Sequence, residues 1–212
     1  PRKDGTLKGL TLAEVLITLG IIGVVAALTL PTLIAYHQKQ VTVNKLKKFY
    51  TSINQAVRLS ELENDSSEFW EYPDNNYENN KAFFEKYIGK YMQYVSIEPY
   101  KIGDYSNILV KFADGSAAAF RTDKNGTDIN FITEASSIKT KNPKRNSFGF
   151  MLNKKLSIGA KTMVEPYTFE WDGTREHLIS HPRYGCSQNG LGSYCAKLIQ
   201  YDGWQISKDY PW

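Results

Sequence analysis

Gly9-Leu10-Thr11-Leu12-Ala13-Glu14-Val15-Leu16-Ile17-Thr18-Leu19-Gly20-Ile21-Ile22-Gly23-Val24-Val25-Ala26-Ala27-Leu28-Thr29-Leu30-Pro31 is the stretch that organises this chain. From Val15 to Leu30 no residue is charged. With Leu10 to Ala13 the apolar run is about 20 residues long, the length a helix needs to cross a hydrocarbon layer. One carboxylate, Glu14, stands at its start, and a charge in such a segment is costly and marks function. Arg2, Lys3 and Lys8 precede the run, which predicts a cytoplasmic N-terminus and the remainder outside. The run is too long for the h-region of a secretory signal, and no small-x-small cleavage site closes it.

Downstream of Pro31 the helical pattern continues and becomes amphipathic. Leu46, Phe49, Tyr50, Ile53, Ala56, Val57 and Ser60 recur at spacings of three and four, which is one helical stripe. Lys39, Lys45, Lys47, Lys48 and Arg58 mostly lie off it. The pattern predicts a single helix from about Leu10 to about Leu62, with Pro31 kinking or loosening it by removing a backbone donor. Gly20 and Gly23 allow close helix approach in a membrane.

The arrangement resembles the type IV pilins and the pseudopilins of type II secretion. Their signature is a basic leader ending in Gly, then a hydrophobic residue, Thr, Leu, a variable residue and Glu, and then a hydrophobic helix. Here that is Gly9, Leu10, Thr11, Leu12, Ala13, Glu14 and Val15–Leu30. The family's usual first mature residue is Phe; here it is Leu10. The resemblance is strong over about the first 60 residues and weak beyond. It implies cleavage between Gly9 and Leu10 by a prepilin peptidase and N-methylation of Leu10. It also implies assembly with other pilin or pseudopilin subunits through an inner-membrane assembly platform. Glu14 would then meet the free α-amine of a neighbouring Leu10, a charge pair that forms at one stagger only. Pro31 falls where many members have a helix-bending proline. The implied organisation is a cytoplasmic leader (1–9), a membrane or filament-core half-helix (10–30), an amphipathic half-helix (31–62) and a globular head (63–212). The implied localisation is a bacterial inner membrane, single-pass with the head outside, and then an extracytoplasmic filament.

The head reads as α+β, with a long helix packed against an antiparallel sheet. Glu61, Glu63, Asp65, Glu68, Glu71, Asp74 and Glu78 form an acidic, loop-like stretch. Ala82, Phe83, Tyr87, Ile88 and Tyr91 predict an amphipathic helix from about Glu78 to Met92. Residues 108–112 and 116–121 around Ala113-Asp114-Gly115 read as a hairpin. Residues 129–133 and 148–152 are further strands, and 163–171 a weaker one broken by Pro166. Residues 192–200 suggest a short helix.

Cys186 and Cys195 are the only cysteines. On the extracytoplasmic side a disulfide persists, and Asn189-Gly190 and Gly192 let the intervening chain turn back. Many pilins also have a C-terminal disulfide-bounded loop. The competing reading is a metal set of His177, His181, Cys186 and Cys195, but the cysteine spacing is wrong for a common zinc knuckle. Asp123, Asn125 and Asp128 are a weak calcium candidate around a turn; the same residues read more simply as a β-turn. No other cofactor is indicated.

The formal net charge is +4, too small for a general nucleic-acid-binding field. Lys139, Lys141, Lys144, Arg145, Lys154, Lys155 and Lys161 form a basic region. It reads as a solvated face, as a complement to the acidic stretch of a neighbouring subunit, or, less well, as a DNA contact. No catalytic motif is present: there is no G-x-S-x-G, phosphate loop, H-E-x-x-H or dinucleotide fingerprint. The expected function is a non-enzymatic filament subunit. The alternative is a minor pilin whose head acts as a tip binding module for DNA uptake or surface adhesion.

Overall fold

The structure, a computed structural model, describes residues 11–154 and 162–212. Two compact units divide at Gln40/Val41. Helix α1, Leu12–Asn64, runs through the first unit and supplies the first element of the second. It begins two residues later and ends two residues later than the periodicity predicts, and it is continuous through Pro31.

The second unit is α+β. Helix α2 covers Tyr77–Tyr87, and strands β1 (Ser96–Ile102), β2 (Tyr105–Lys111), β3 (Ala117–Asp123), β4 (Gly126–Ile132), β5 (Ser147–Asn153) and β6 (Val164–Pro166) follow. Helices α3 (Arg175–Ser180) and α4 (Cys195–Tyr201) complete it. The six strands form one sheet in sequence order, every pair antiparallel.

The predicted stripe is the buried face of α1. Leu46, Phe49, Ile53, Ala56, Val57 and Ser60 are all buried, and Tyr50 is half-buried against them. They pack on the inner face of the sheet through Ile108, Val110, Phe120, Phe131, Phe148 and Phe150. Phe49 is the keystone, with its ring stacked 4.4 Å from Phe131 and edge-on to Phe150. Such aromatic pairs add roughly 0.5–1.5 kcal/mol beyond their area.

Three differences from the expected elements have local causes. Helix α2 ends at Tyr87 rather than near Met92: Gly89 opens a 3₁₀ turn there, and a Cβ on it would lie 2.9 Å from the Phe84 ring. Strand β1 is additional. It is the sheet edge and contains Pro99, which is tolerated there because an edge strand need not donate on both sides. Helix α3 is also additional, capped by the Thr174 hydroxyl, which accepts from the His177 N–H. It stops at Ser180, as Pro182 requires.

Asparagines replace ladder bonds at two places. Strands β2 and β3 pair from Ile108↔Phe120 to Lys111↔Ala117 and no further. Beyond that, Asn75 and Asn80 take up the backbone of Ser106 and Thr122. At the opposite edge, Asn54 of α1 bonds both backbone groups of Val164 in β6.

Candidate functional site

In the first unit, the apolar residues stand exposed. Leu12, Leu16, Ile17, Leu19, Ile21, Ile22, Val24, Val25, Leu28, Leu30, Leu33 and Ile34 are each more than half exposed, Leu28 at 73%. This is the one helix among the described residues that is long and apolar enough to cross a membrane. Three threonine hydroxyls of its apolar half are satisfied within the helix. The hydroxyls of Thr18, Thr29 and Thr32 donate to the carbonyls of Glu14, Val25 and Thr29. Such back-bonding lets a hydroxyl sit in an apolar medium without an open donor.

Glu14 is the only charge among residues 11–36. Its Oε2 accepts from the Thr11 N–H at 2.7 Å and the Thr11 hydroxyl at 2.8 Å, while the Glu14 N–H donates back to that hydroxyl at 3.3 Å. This is a capping box: a threonine N-cap and a glutamate three residues on satisfy each other's amides. The T-x-x-E spacing was readable in the sequence, and the reading of Glu14 as an intersubunit partner overlooked it. Glu14 therefore has a role within its own helix. Both of these bonds fall on Oε2.

Gly9 and Leu10 lie outside the described residues, as do Lys155 and Lys161.

At the C-terminal end, Cys186 and Cys195 form a disulfide with Cα atoms 4.8 Å apart. The metal reading of His177, His181 and the two cysteines fails, because the sulfurs are bonded to each other. The histidines also have other duties: His177 Nδ1 accepts from the Asp172 N–H, and His181 Nδ1 from the Tyr184 and Arg183 N–H groups. The glycines between the cysteines serve close packing rather than looseness. A Cβ on Gly190 would sit 2.1 Å from the Gly185 carbonyl oxygen.

Asp123, Asn125 and Asp128 border one small hollow beside the β3–β4 turn. Asp123 and Gly126 close the two-residue β3–β4 turn, and Asp123 accepts from the Asn125 N–H at 2.8 Å. Asp128 pairs with Arg121 instead. Among the described residues no group of three or more His, Cys, Asp or Glu could hold a metal ion.

Three of the seven residues of the acidic stretch form exposed ion pairs within the head. Glu63 pairs with Lys90, Glu71 with Lys86 and Asp74 with Lys124. In the basic region, Lys141 and Arg145 lie over the rings of Tyr100 and Trp212, and Lys144 donates to the Gln188 carbonyl.

The chain matches a family of unknown function (DUF6613) over residues 32–212. It belongs to that family. The DUF6613 match starts one residue after Pro31, so it takes in the head and the amphipathic part of α1 and leaves out residues 1–31. No curated protein and no solved structure matches the chain. Two of the features just described bear on what this DUF6613 chain can do. One is an exposed apolar half-helix with a single capped carboxylate; the other is a disulfide-closed α+β head.

Proposed function

We propose that this chain is a pilin-like structural subunit, made as a membrane-anchored precursor, cleaved after Gly9 and assembled through its N-terminal helix. The filament would be a type IV pilus or a type II secretion pseudopilus. The observation that carries this reading is the exposed apolar face from Leu12 to Ile34 with Glu14 at its head. A surface this apolar needs lipid or other helices around it. Lipid serves the precursor, and neighbouring copies serve the assembled form.

The chemistry follows from the two solvents. In lipid a lone carboxylate is costly, and the Thr11 amide and hydroxyl offset part of that cost. Cleavage after Gly9 would place an α-amine on Leu10, next to Thr11. In a bundle, that amine from one subunit supplies the countercharge for the Glu14 of another. Apolar helix surfaces slide freely past one another, whereas this pair forms at one stagger and so fixes register. The peptidase, the platform and the lipid bilayer are the partners this mechanism needs.

Glu14→Ala tests it. Membrane insertion should persist, since losing a charge favours lipid. Incorporation into filaments should fall about tenfold or more, given that a buried charge pair broken on one side costs several kcal/mol. Glu14→Gln, which keeps the capping geometry but not the charge, should fail similarly. Normal assembly of Glu14→Gln would confine the residue to its role as a cap.

A further inference from the structure

The outer face of the sheet contains a hollow that the filament reading does not use. Its volume is about 180 Å³. It lies where β2 and β3 separate beyond Ile108↔Phe120. Ala119 and Gly149, opposite Asn130 on its two sides in the ladder, supply little side-chain bulk at its floor. Asn107, Asn130, Arg121 and Asp128 give it polar groups, and Tyr105 and Tyr167 are aromatic walls.

Each of these side chains is already held. The Asn130 carbonyl oxygen accepts from the Ser147 hydroxyl at 2.8 Å, and Asn107 donates to the Tyr105 carbonyl at 3.1 Å. The Arg121 guanidinium covers one face of the Tyr105 ring at 4.3 Å and is paired with Asp128. Tyr105 nevertheless remains half exposed, at 51%. The Arg121 Nε–H is buried with no hydrogen-bond partner, one of two such buried side-chain atoms among the described residues. A buried open donor is rare and calls for an explanation.

We propose that this hollow is a binding site for one pyranose ring of a neutral saccharide. Its volume is below the ~300 Å³ at which pockets for drug-sized ligands begin, so it suits a single small ring. Amides, a carboxylate and a guanidinium together offer donors and acceptors in alternation, which vicinal hydroxyls can satisfy because each both donates and accepts. The Arg121–Asp128 pair leaves the site without net charge, so it has no pull on a phosphate or carboxylate. The exposed side of the Tyr105 ring offers an apolar surface to the C–H face of a sugar. This inference does not depend on how the N-terminal helix is processed or assembled.

The test uses the full chain in a detergent without a sugar headgroup. Glucose, galactose, mannose and N-acetylglucosamine are each added and followed by saturation-transfer NMR. At least one should bind with a dissociation constant on the order of 1 mM, a normal strength for so small a contact. Tyr105→Ala and Asn130→Ala should each weaken it about tenfold, the equivalent of losing one good contact, with circular dichroism unchanged. Ala119→Leu should block it by filling the floor. Saturation transfer to none of the four sugars would overturn the proposal. So would binding that survives Tyr105→Ala, or inorganic phosphate displacing the bound sugar.

Discussion

Asn54 and Val164 pair like two strands. The Asn54 Nδ2 donates to the Val164 carbonyl at 2.9 Å, and the Val164 N–H donates to Asn54 Oδ1 at 3.1 Å. Both residues are buried. One side chain of α1 thus finishes the edge of a sheet 110 residues further along the chain. It holds Glu165 next to Tyr50, whose hydroxyl donates to Glu165 Oε1 at 3.1 Å. On its other side, Glu165 Oε2 lies 3.4 Å from Lys197 Nζ, and both are nearly sealed from solvent.

Asn54→Leu should therefore destabilise the head by about 1–3 kcal/mol, because it leaves the buried Val164 N–H unpaired, while the Val164 carbonyl keeps its bond from the Thr162 hydroxyl at 2.9 Å. Urea denaturation monitored by tryptophan fluorescence measures this. A variant as stable as the parent would mean that β6 finds its partners elsewhere.

The disulfide loop makes a steric prediction. Gly190→Ala brings a methyl group against the Gly185 carbonyl oxygen, with the Ser187 hydroxyl also close by, and the Gly185 backbone cannot give way as a flexible side chain could. It should lower the melting temperature of the head and expose the loop to protease. Replacing both Cys186 and Cys195 by serine should cost roughly 2–3 kcal/mol through the unfolded chain. If Gly190→Ala melts with the parent while the double serine variant does not, the covalent bond alone holds the loop.

Much of this was readable beforehand, and the misses have physical causes. The stripe from Leu46 to Ser60 declared itself because burial against a flat sheet imposes a period of three to four. Asn54 did not, since a polar residue inside an apolar stripe looks like a gap in it. Strand β1 was missed because Glu98-Pro99-Tyr100-Lys101 does not alternate, and an edge strand does not need to. The hairpin around Asp114 was plain from its turn residues, whereas α3, at six residues, is too short for a periodic signal. At the N-terminus, Glu14 was found by its charge, but its bond to Thr11 was hidden behind a larger expectation. The hollow on the outer face depends on which residues lie side by side across four strands, and no local pattern carries that.

Acid should loosen the C-terminal segment before the core. Arg175 bonds Asp202 in a two-pronged contact at 2.6 and 2.7 Å and also reaches Asp209 at 2.9 Å. Hydrogen bonds from Arg175 hold both carboxyls below their ordinary values. A depressed carboxyl pKa stabilises the fold above the unfolded value, near 3.9, and that stabilisation is lost as pH falls through the folded value. Amide protection factors over residues 203–212, taken relative to the intrinsic rate at each pH, should thus be high at pH 6 and fall below about pH 4. Arg175→Ala should lower them at pH 6 as well. Equal protection in the parent at pH 6 and pH 3 would show that the tail is held by Tyr210 and its packing alone.

The central claim, that this is a processed pilin-like subunit, is tested most directly by the mass of the mature N-terminal peptide. The protein is expressed together with a prepilin peptidase and recovered from the membrane fraction. The account predicts a chain that begins at Leu10 with a methyl group on its α-amine, and that stays at precursor length when Gly9→Val is introduced. A mature chain that retains residues 1–9, or that begins after Pro31, would contradict it.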